Sequence, residues 1–265
     1  VARRVIRCQS GGVSYYEFES LHHLRAIRHA VLTRHGGVSV GPLASLNVGH
    51  SVGDDPAAVT ENTRRAVAVL GARMDQVVTA HQVHGARVVL VGHKERGSVV
   101  PSCDGLATAE PNVVLMLRFA DCVPVLLVDP VHRAVALLHS GWRGWASGVV
   151  AAGLRLMSDE FGTRPSDLVA GIGPAIGPCC YEVGPEVVAA ALKVLGPAGD
   201  SVVSTLSGAT HLDLPGAVRM QLETAGVVQI EVSGVCTGCR RDEFYSHRGD
   251  GGKTGRFAVV VSLAD

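Results

Sequence analysis

Apolar residues run almost without a break over residues 123–128 and again over residues 134–138, with Asp129-Pro130-Val131-His132-Arg133 between them. Short runs rich in Val and Leu around a Pro-containing connector predict two buried strands joined by a tight turn. With Asp129 opposite Ala134 in an antiparallel hairpin, Pro124 faces His139. Cys122, two residues further along the same face, is then its diagonal neighbour. Diagonal pairs lie roughly 7–8 Å apart, within reach of long side chains. A slip of one residue would turn one of the two away. The pattern is the kernel of a metal site or of a Cys/His catalytic pair.

The rest of the chain alternates between the two periods. Residues 1–29 predict an opening pair of strands with a loop carrying His22 and His23, and residues 30–34 a short strand feeding a Gly-rich turn. Asp55 and Pro56 open a helix as N-cap and first helical residue, with Gly71 as its stop. Val59, Ala66, Val67 and Leu70 form its apolar face. Residues 77–80 and 87–91 predict strands flanking His81-Gln82-Val83-His84-Gly85, and residues 105–109 a link into the hairpin. A helix is expected near residues 146–161 and a strand over 168–172. Helices follow over 185–195 and 215–225, with strands over 227–232 and 257–263. Hairpins mixed with helices, out of clean βαβ order, argue against a purely parallel doubly wound sheet. No repeat or long linker divides the chain, so residues 1–265 are expected to form one domain.

Composition narrows the function classes. At 265 residues and 47% hydrophobic content the chain supports a sizeable core, which Val, Ala and Leu must build because aromatics are only 4%. Lys+Arg and Asp+Glu are both 24, so neither nucleic acid nor an anionic membrane surface is expected as the main partner. No apolar run reaches the ~18–20 residues that span a bilayer. The opening VARRVIRCQSGG is basic but lacks an apolar h-region, so no signal peptide is expected. Seven scattered Cys do not resemble a disulfide framework, and a reducing, cytoplasmic setting is expected.

Several motifs occur together: LTRHGGVSVGPLASLNVGHSVGDD, HQVHG, FADCVPVLL, HSGWRG, GIGPAIGPCCYEVG and FYSHRGDGGKTGR. In this order they resemble the family variously called laccase-domain proteins, polyphenol oxidases, peptidoglycan editing factors and purine nucleoside phosphorylases. FADC stands where that family has TADC-x-P, and HSGWRG fits its H-[AS]-GWRG. The resemblance implies an α/β (α+β) fold, a layered sandwich of mixed β-sheets flanked by helices.

It also maps metal ligands onto His81, Cys122 and His139. Three ligands from three segments suit an open zinc site with a fourth position for water, and copper could occupy the same donors. His84 is a candidate ligand, supporting group or substrate contact. Asp121, beside Cys122, is a candidate acid/base or a residue that holds backbone near the site. Ser45 and Asn47 match the family's SLN motif at the pocket. Arg64 is a candidate phosphate contact, displaced by one from the family's usual Asn-Arg, since this chain has Asn62-Thr63. Arg143 could clamp an anion or pair with an acid, because its planar fork suits both. Arg248 and Arg256 flank the last Gly-rich motif and could also meet an anion. Cys236-Thr237-Gly238-Cys239 reads as a structural pair of thiols, and Cys179-Cys180 sits in a separate Gly/Pro loop.

The resemblance implies phosphorolysis of adenosine, inosine, guanosine and methylthioadenosine, and deamination of adenosine. The partners would be a small nucleoside and phosphate, with the chain a monomer. Copper oxidation is the second reading. Among the twelve His no two are separated by one residue, so the His-x-His pairs of a trinuclear copper centre are missing. A third reading is a Cys/His hydrolase editing a peptidoglycan precursor, with Cys122 as nucleophile and His139 as base. A fourth is a non-catalytic binding protein.

Overall fold

Asp129 makes the central turn. Its Oδ1 accepts from the backbone N–H of Val131 and His132, and its Oδ2 meets His132 Nδ1 at 2.8 Å. The strands it joins pair Asp129 with Ala134 and Pro124 with His139, the expected register. The structure is a computed structural model that describes residues 5–264, so the expectation for residues 1–4 lies outside the described residues.

In chain order, β1 (Val5–Ser10) and β2 (Val13–Phe18) lead through α1 (Glu19–His22) to β3 (Ile27–Leu32). Helix α2 (Pro56–Ala68) precedes β4 (Val77–Ala80), β5 (Val88–Leu90) and β6 (Ser98–Val100). Then come β7 (Gly105–Thr108), β8 (Val114–Phe119), β9 (Val123–Asp129) and β10 (Ala134–Ser140). Helices α3 (Trp142–Ala146) and α4 (Val149–Phe161) follow, then β11 (Val169–Ile172) and α5 (Pro185–Leu195). The chain closes with β12 (Val203–Leu206), β13 (Ala209–Leu212), α6 (Leu214–Thr224), β14 (Gln229–Val232) and β15 (Phe257–Leu263).

One mixed sheet has the order β1-β2-β3-β15-β8-β4-β6, the other β14-β11-β9-β10-β7-β5. They face each other across a core that includes Phe18, Leu117 and Val259 from the first, with Leu126, Val128 and Leu137 from the second. Alternate residues of β9 and β10, among them Val125, Leu127, Ala136 and Leu138, point to the opposite face, where α3, α4 and α6 cover them with Trp145, Val149, Met157 and Leu222. On the outer face of the first sheet, Ala66 and Val67 of α2 pack on Val77, Met116 and Val260. The result is a helix–sheet–sheet–helix sandwich, as expected. Central strands buried on both faces lose polar alternation, which is why they read as continuous apolar runs.

Two expectations change, and one sheet boundary falls where the sequence carries no mark. The link over residues 105–109 is strand β7, paired with β10. The helix expected near residues 146–161 is α4, which starts at Val149 after Gly148 takes φ +90°, and the short helix α3 precedes it. Strand β8 lies three residues before β9 yet belongs to the other sheet. Helix α2 starts as expected, with the Asp55 side chain accepting from Ala57 N–H and Pro56 in the first turn.

Candidate active site

Cys122 sits immediately before β9 and His139 near the end of β10, so the hairpin carries both to the same end of the second sheet. The third group to converge is His84, from the loop after β4. One donor atom each of His84, Cys122 and His139 lies within 4.8 Å of the others. The His84 and His139 rings meet edge to face at 4.9 Å between centroids. His81, mapped as the ligand, does not join them. Its backbone is tied on both sides, His81 N–H to Val100 O and Cys103 N–H to His81 O, and its side chain is exposed at the cavity wall.

Asp104 explains why His84 takes the place. Its buried carboxylate accepts from the backbone N–H of Val83, His84 and Gly85 at 3.2, 2.9 and 2.7 Å. This nest of three donors turns the chain, and His84 adopts φ +59° within it. The same carboxylate meets His139 Nδ1 at 2.8 Å, which leaves Nε2 to face Cys122. Burial works against charge on Asp104, but His139 and the Gly85 and Val83 N–H groups hold its pKa below the usual range. Nothing in the local sequence marks Asp104. A ligating His needs an acceptor on its other nitrogen, and that requirement is the one signal pointing to such a residue.

The glycines of HSGWRG have a steric basis in this fold. A Cβ on Gly141 would stand 2.9 Å from Cys122 Sγ and 3.0 Å from His84 Cδ2, and one on Gly144 only 2.7 Å from Gly85 O. Burial opposes the Cys122 thiolate, yet the charge and hydrogen bond of His139 and a hydrogen bond to His84 bring its pKa down to about 6. His139 rises to about 9 against its burial, held up by the Cys122 thiolate and Asp104. A thiolate with two imidazoles, one oriented by a carboxylate, is a donor set that zinc or copper accepts. The residues therefore fit a metal ion.

The triad lies in the wall of a cavity of about 800 Å³. Arg118, Arg143, Arg248 and Arg256 line it, against one acid, Asp121. Arg118 reaches in from β8, anchored to Val48 O and Thr79 Oγ1, and burial lowers its pKa to about 10, so it stays charged at neutral pH. Arg143 lies over Trp142 at 4.4 Å and makes no ion pair among the described residues. Arg248 donates to Glu182 O and lies over Tyr181. His50 is held toward its neutral form by burial and by Arg118.

Asp121 is spent on scaffolding. Its carboxylate accepts from Thr237 Oγ1, Ser246 Oγ and Arg248 N–H, each at 2.7 Å, and its carbonyl from Ile176 N–H. The carboxylate is not part of the triad and fastens two distant loops beside Cys122. Ser45 binds Arg34 O and Gly37 N–H, away from the cavity. Asn47 is buried and accepts from Gly49 and Arg256 N–H while donating to Asp54, so it positions cavity residues without reaching the space itself. Arg64 is not brought to the site. It is exposed on α2 and locked to Glu61 at 2.7 Å.

The chain is similar to known proteins over most of its length. It is 43% identical over 239 residues to the purine nucleoside phosphorylase YlmD of Geobacillus stearothermophilus, covering 86% of this chain and 87% of that one. It is 44% identical over 230 residues to a purine nucleoside phosphorylase of Streptomyces coelicolor, covering 87% and 93%. The crystal structure of YlmD from Geobacillus stearothermophilus superposes over 100% of both chains with a TM-score of 0.93 at 38% identity. That of Bacillus licheniformis hypothetical protein YfiH gives 0.90 at 35%, over 96% and 97%. No helix among the described residues is long and apolar enough to cross a membrane. Residues 28–264 match the model of one family, and the chain belongs to that family, described as multi-copper polyphenol oxidoreductase laccase.

Proposed function

We propose that this protein is a purine nucleoside phosphorylase that also deaminates adenosine, with a metal ion held by His84, Cys122 and His139. The carrying observation is the charge of the cavity: a space of about 800 Å³ with four arginines around a His₂Cys triad. Such a space takes a nucleoside and a phosphate together. The relatives named above as purine nucleoside phosphorylases support the same substrate class.

In phosphorolysis a phosphate oxygen bonds C1′ as the C1′–N9 bond breaks. The purine leaves with that electron pair and takes up a proton. Arg143, which makes no ion pair among the described residues, offers its planar fork to the phosphate, and Arg256 adds charge at the cavity wall. Asp121 and Asn47 hold the backbone of Arg248 and Arg256 in place. Asp104 keeps the His139 ring aimed at the cavity. Zinc bound by the triad would supply a Lewis acid with one position left open. In deamination water adds at C6 of adenine and ammonia leaves, so phosphate is not needed.

Copper oxidation of phenols is the alternative that the family's description suggests. A single His₂Cys group is the one His-containing cluster of metal-type side chains among the described residues. That donor set offers one copper position rather than several, so oxidase activity is expected to be weak. Incubation of purified protein with adenosine, with and without phosphate, followed by separation of adenine, ribose 1-phosphate and inosine, tests the proposal. Adenine and ribose 1-phosphate that appear only with phosphate support it. Absence of all three products rejects it.

A further inference from the structure

Two cysteine motifs, 57 residues apart in the chain by the numbering of Cys179 and Cys236, meet in space. The Sγ atoms of Cys179, Cys180, Cys236 and Cys239 all lie within 4.8 Å of one another. Cys239 Sγ is 3.4 Å from both Cys179 Sγ and Cys180 Sγ. A disulfide would need about 2.0 Å. Four sulfurs at about 2.3 Å from one tetrahedral zinc stand about 3.8 Å apart, close to the spacing here. We propose that these four cysteines form a second metal site, a tetrathiolate cage for one zinc-class divalent ion, which staples together the two loops that wall the cavity.

The backbone is arranged around the sulfurs. Ala175 and Cys236 form a β-bridge, and Thr237 N–H donates to Ala175 O at 3.0 Å. The backbone N–H of Gly177 points at Cys236 Sγ from 3.2 Å, a donor that offsets negative charge on a thiolate. The two glycines leave room for the cage. A Cβ on Gly238 would stand 2.9 Å from Cys180 Cβ and 3.1 Å from its Sγ, and one on Gly177 would stand 3.3 Å from Cys236 Cβ. Four thiolates and no open position make a closed site, which holds structure and does not bind substrate. Thiolate donors select soft ions, and a tetrahedral four-sulfur set suits zinc or iron.

The staple's position gives it a task. The loop with Cys179 and Cys180 also carries Ile176 and Tyr181, which line the cavity. The loop with Cys236 and Cys239 carries Thr237, which holds the Asp121 carboxylate at 2.7 Å next to Cys122. Cage and triad are therefore separate metal sites joined through Asp121 and Ile176.

The test is a count of metal ions, independent of any activity. Protein purified under reducing conditions is analysed by elemental mass spectrometry as wild type, as Cys122→Ser and as Cys236→Ser/Cys239→Ser. The expected counts are about two ions per chain in the wild type and about one in each variant. In Cys122→Ser the four cage thiols should resist a thiol reagent until a strong chelator is added, and the chelator should lower its melting temperature. If the double variant does not fold, the wild-type count and the Cys122→Ser measurements still decide. One ion in the wild type with none in Cys122→Ser would overturn the cage, as would cage thiols that react freely before chelation. Disulfide-linked peptides joining the four cysteines in the native protein would also overturn it.

Discussion

His139 and Asp104 are bonded twice. The backbone N–H of His139 donates to the Asp104 carbonyl at 2.7 Å, and His139 Nδ1 meets Asp104 Oδ1 at 2.8 Å. Because the same carboxylate folds the loop carrying His84, one side chain positions two of the three donors. Asp104→Ala should lower metal affinity at the triad by about 10- to 100-fold, the usual range for such supporting groups. Competition with a chromophoric chelator measures it. Affinity equal to wild type would show that Asp104 does not orient the site.

Arg143→Ala should slow phosphorolysis of adenosine by about tenfold or more, since one charge-assisted hydrogen bond to phosphate is worth about 1.5–3 kcal/mol. Deamination uses water and should fall less. Arg64→Ala serves as the control, because Arg64 is exposed on α2 and paired with Glu61, and both rates should stay at wild-type level. Equal loss of both activities in Arg143→Ala would make that residue a structural one.

Gly141→Ala keeps a backbone conformation open to any residue but sets a methyl group 2.9 Å from Cys122 Sγ. The fold should survive with a nearly unchanged melting temperature, while metal affinity drops by about tenfold or more. Calorimetry and the chelator competition together check both halves.

Stability should also respond to His29, buried on β3 with its Nε2 accepting from the Phe18 N–H of β2 at 2.8 Å. Burial first, and then the charge of His22, lower its pKa from 6.5 to about 4. Between those values the unfolded chain binds a proton that the folded chain refuses. Stability should therefore fall as pH drops from about 6.5 to about 4 and level off below, by at most about 3 kcal/mol from this group. Melting curves of wild type and His29→Gln across that range check it, and the variant should show a shallower slope.

The hairpin was readable from sequence because its register is local: Asp129 and Pro130 set the turn, and every later pair follows from it. Helix α2 was readable for the same reason, through its Asp55 cap and Pro56. What stayed hidden is long-range. Strand β8 is as apolar as β9, and no local signal assigns the two to different sheets. His81 and His84 are equivalent by residue type, and the choice between them depends on a carboxylate twenty residues further on. Arg64 is one of several polar residues on α2, and only the packing of Ala66 and Val67 on the first sheet reveals that it faces solvent. Asp121 and Cys122 are neighbours in sequence, yet the positive φ of Asp121, +85°, sends their side chains to different tasks.

The central claim is that purine nucleosides are cleaved beside a metal held by His84, Cys122 and His139. It is tested most directly by comparing His84→Ala and His81→Ala for bound metal and for ribose 1-phosphate formed from adenosine and phosphate. The prediction is that His84→Ala loses the triad's ion and essentially all product, while His81→Ala keeps the ion and measurable turnover. Loss of metal and product in His81→Ala with both retained in His84→Ala would contradict the account, as would a wild type that forms no ribose 1-phosphate.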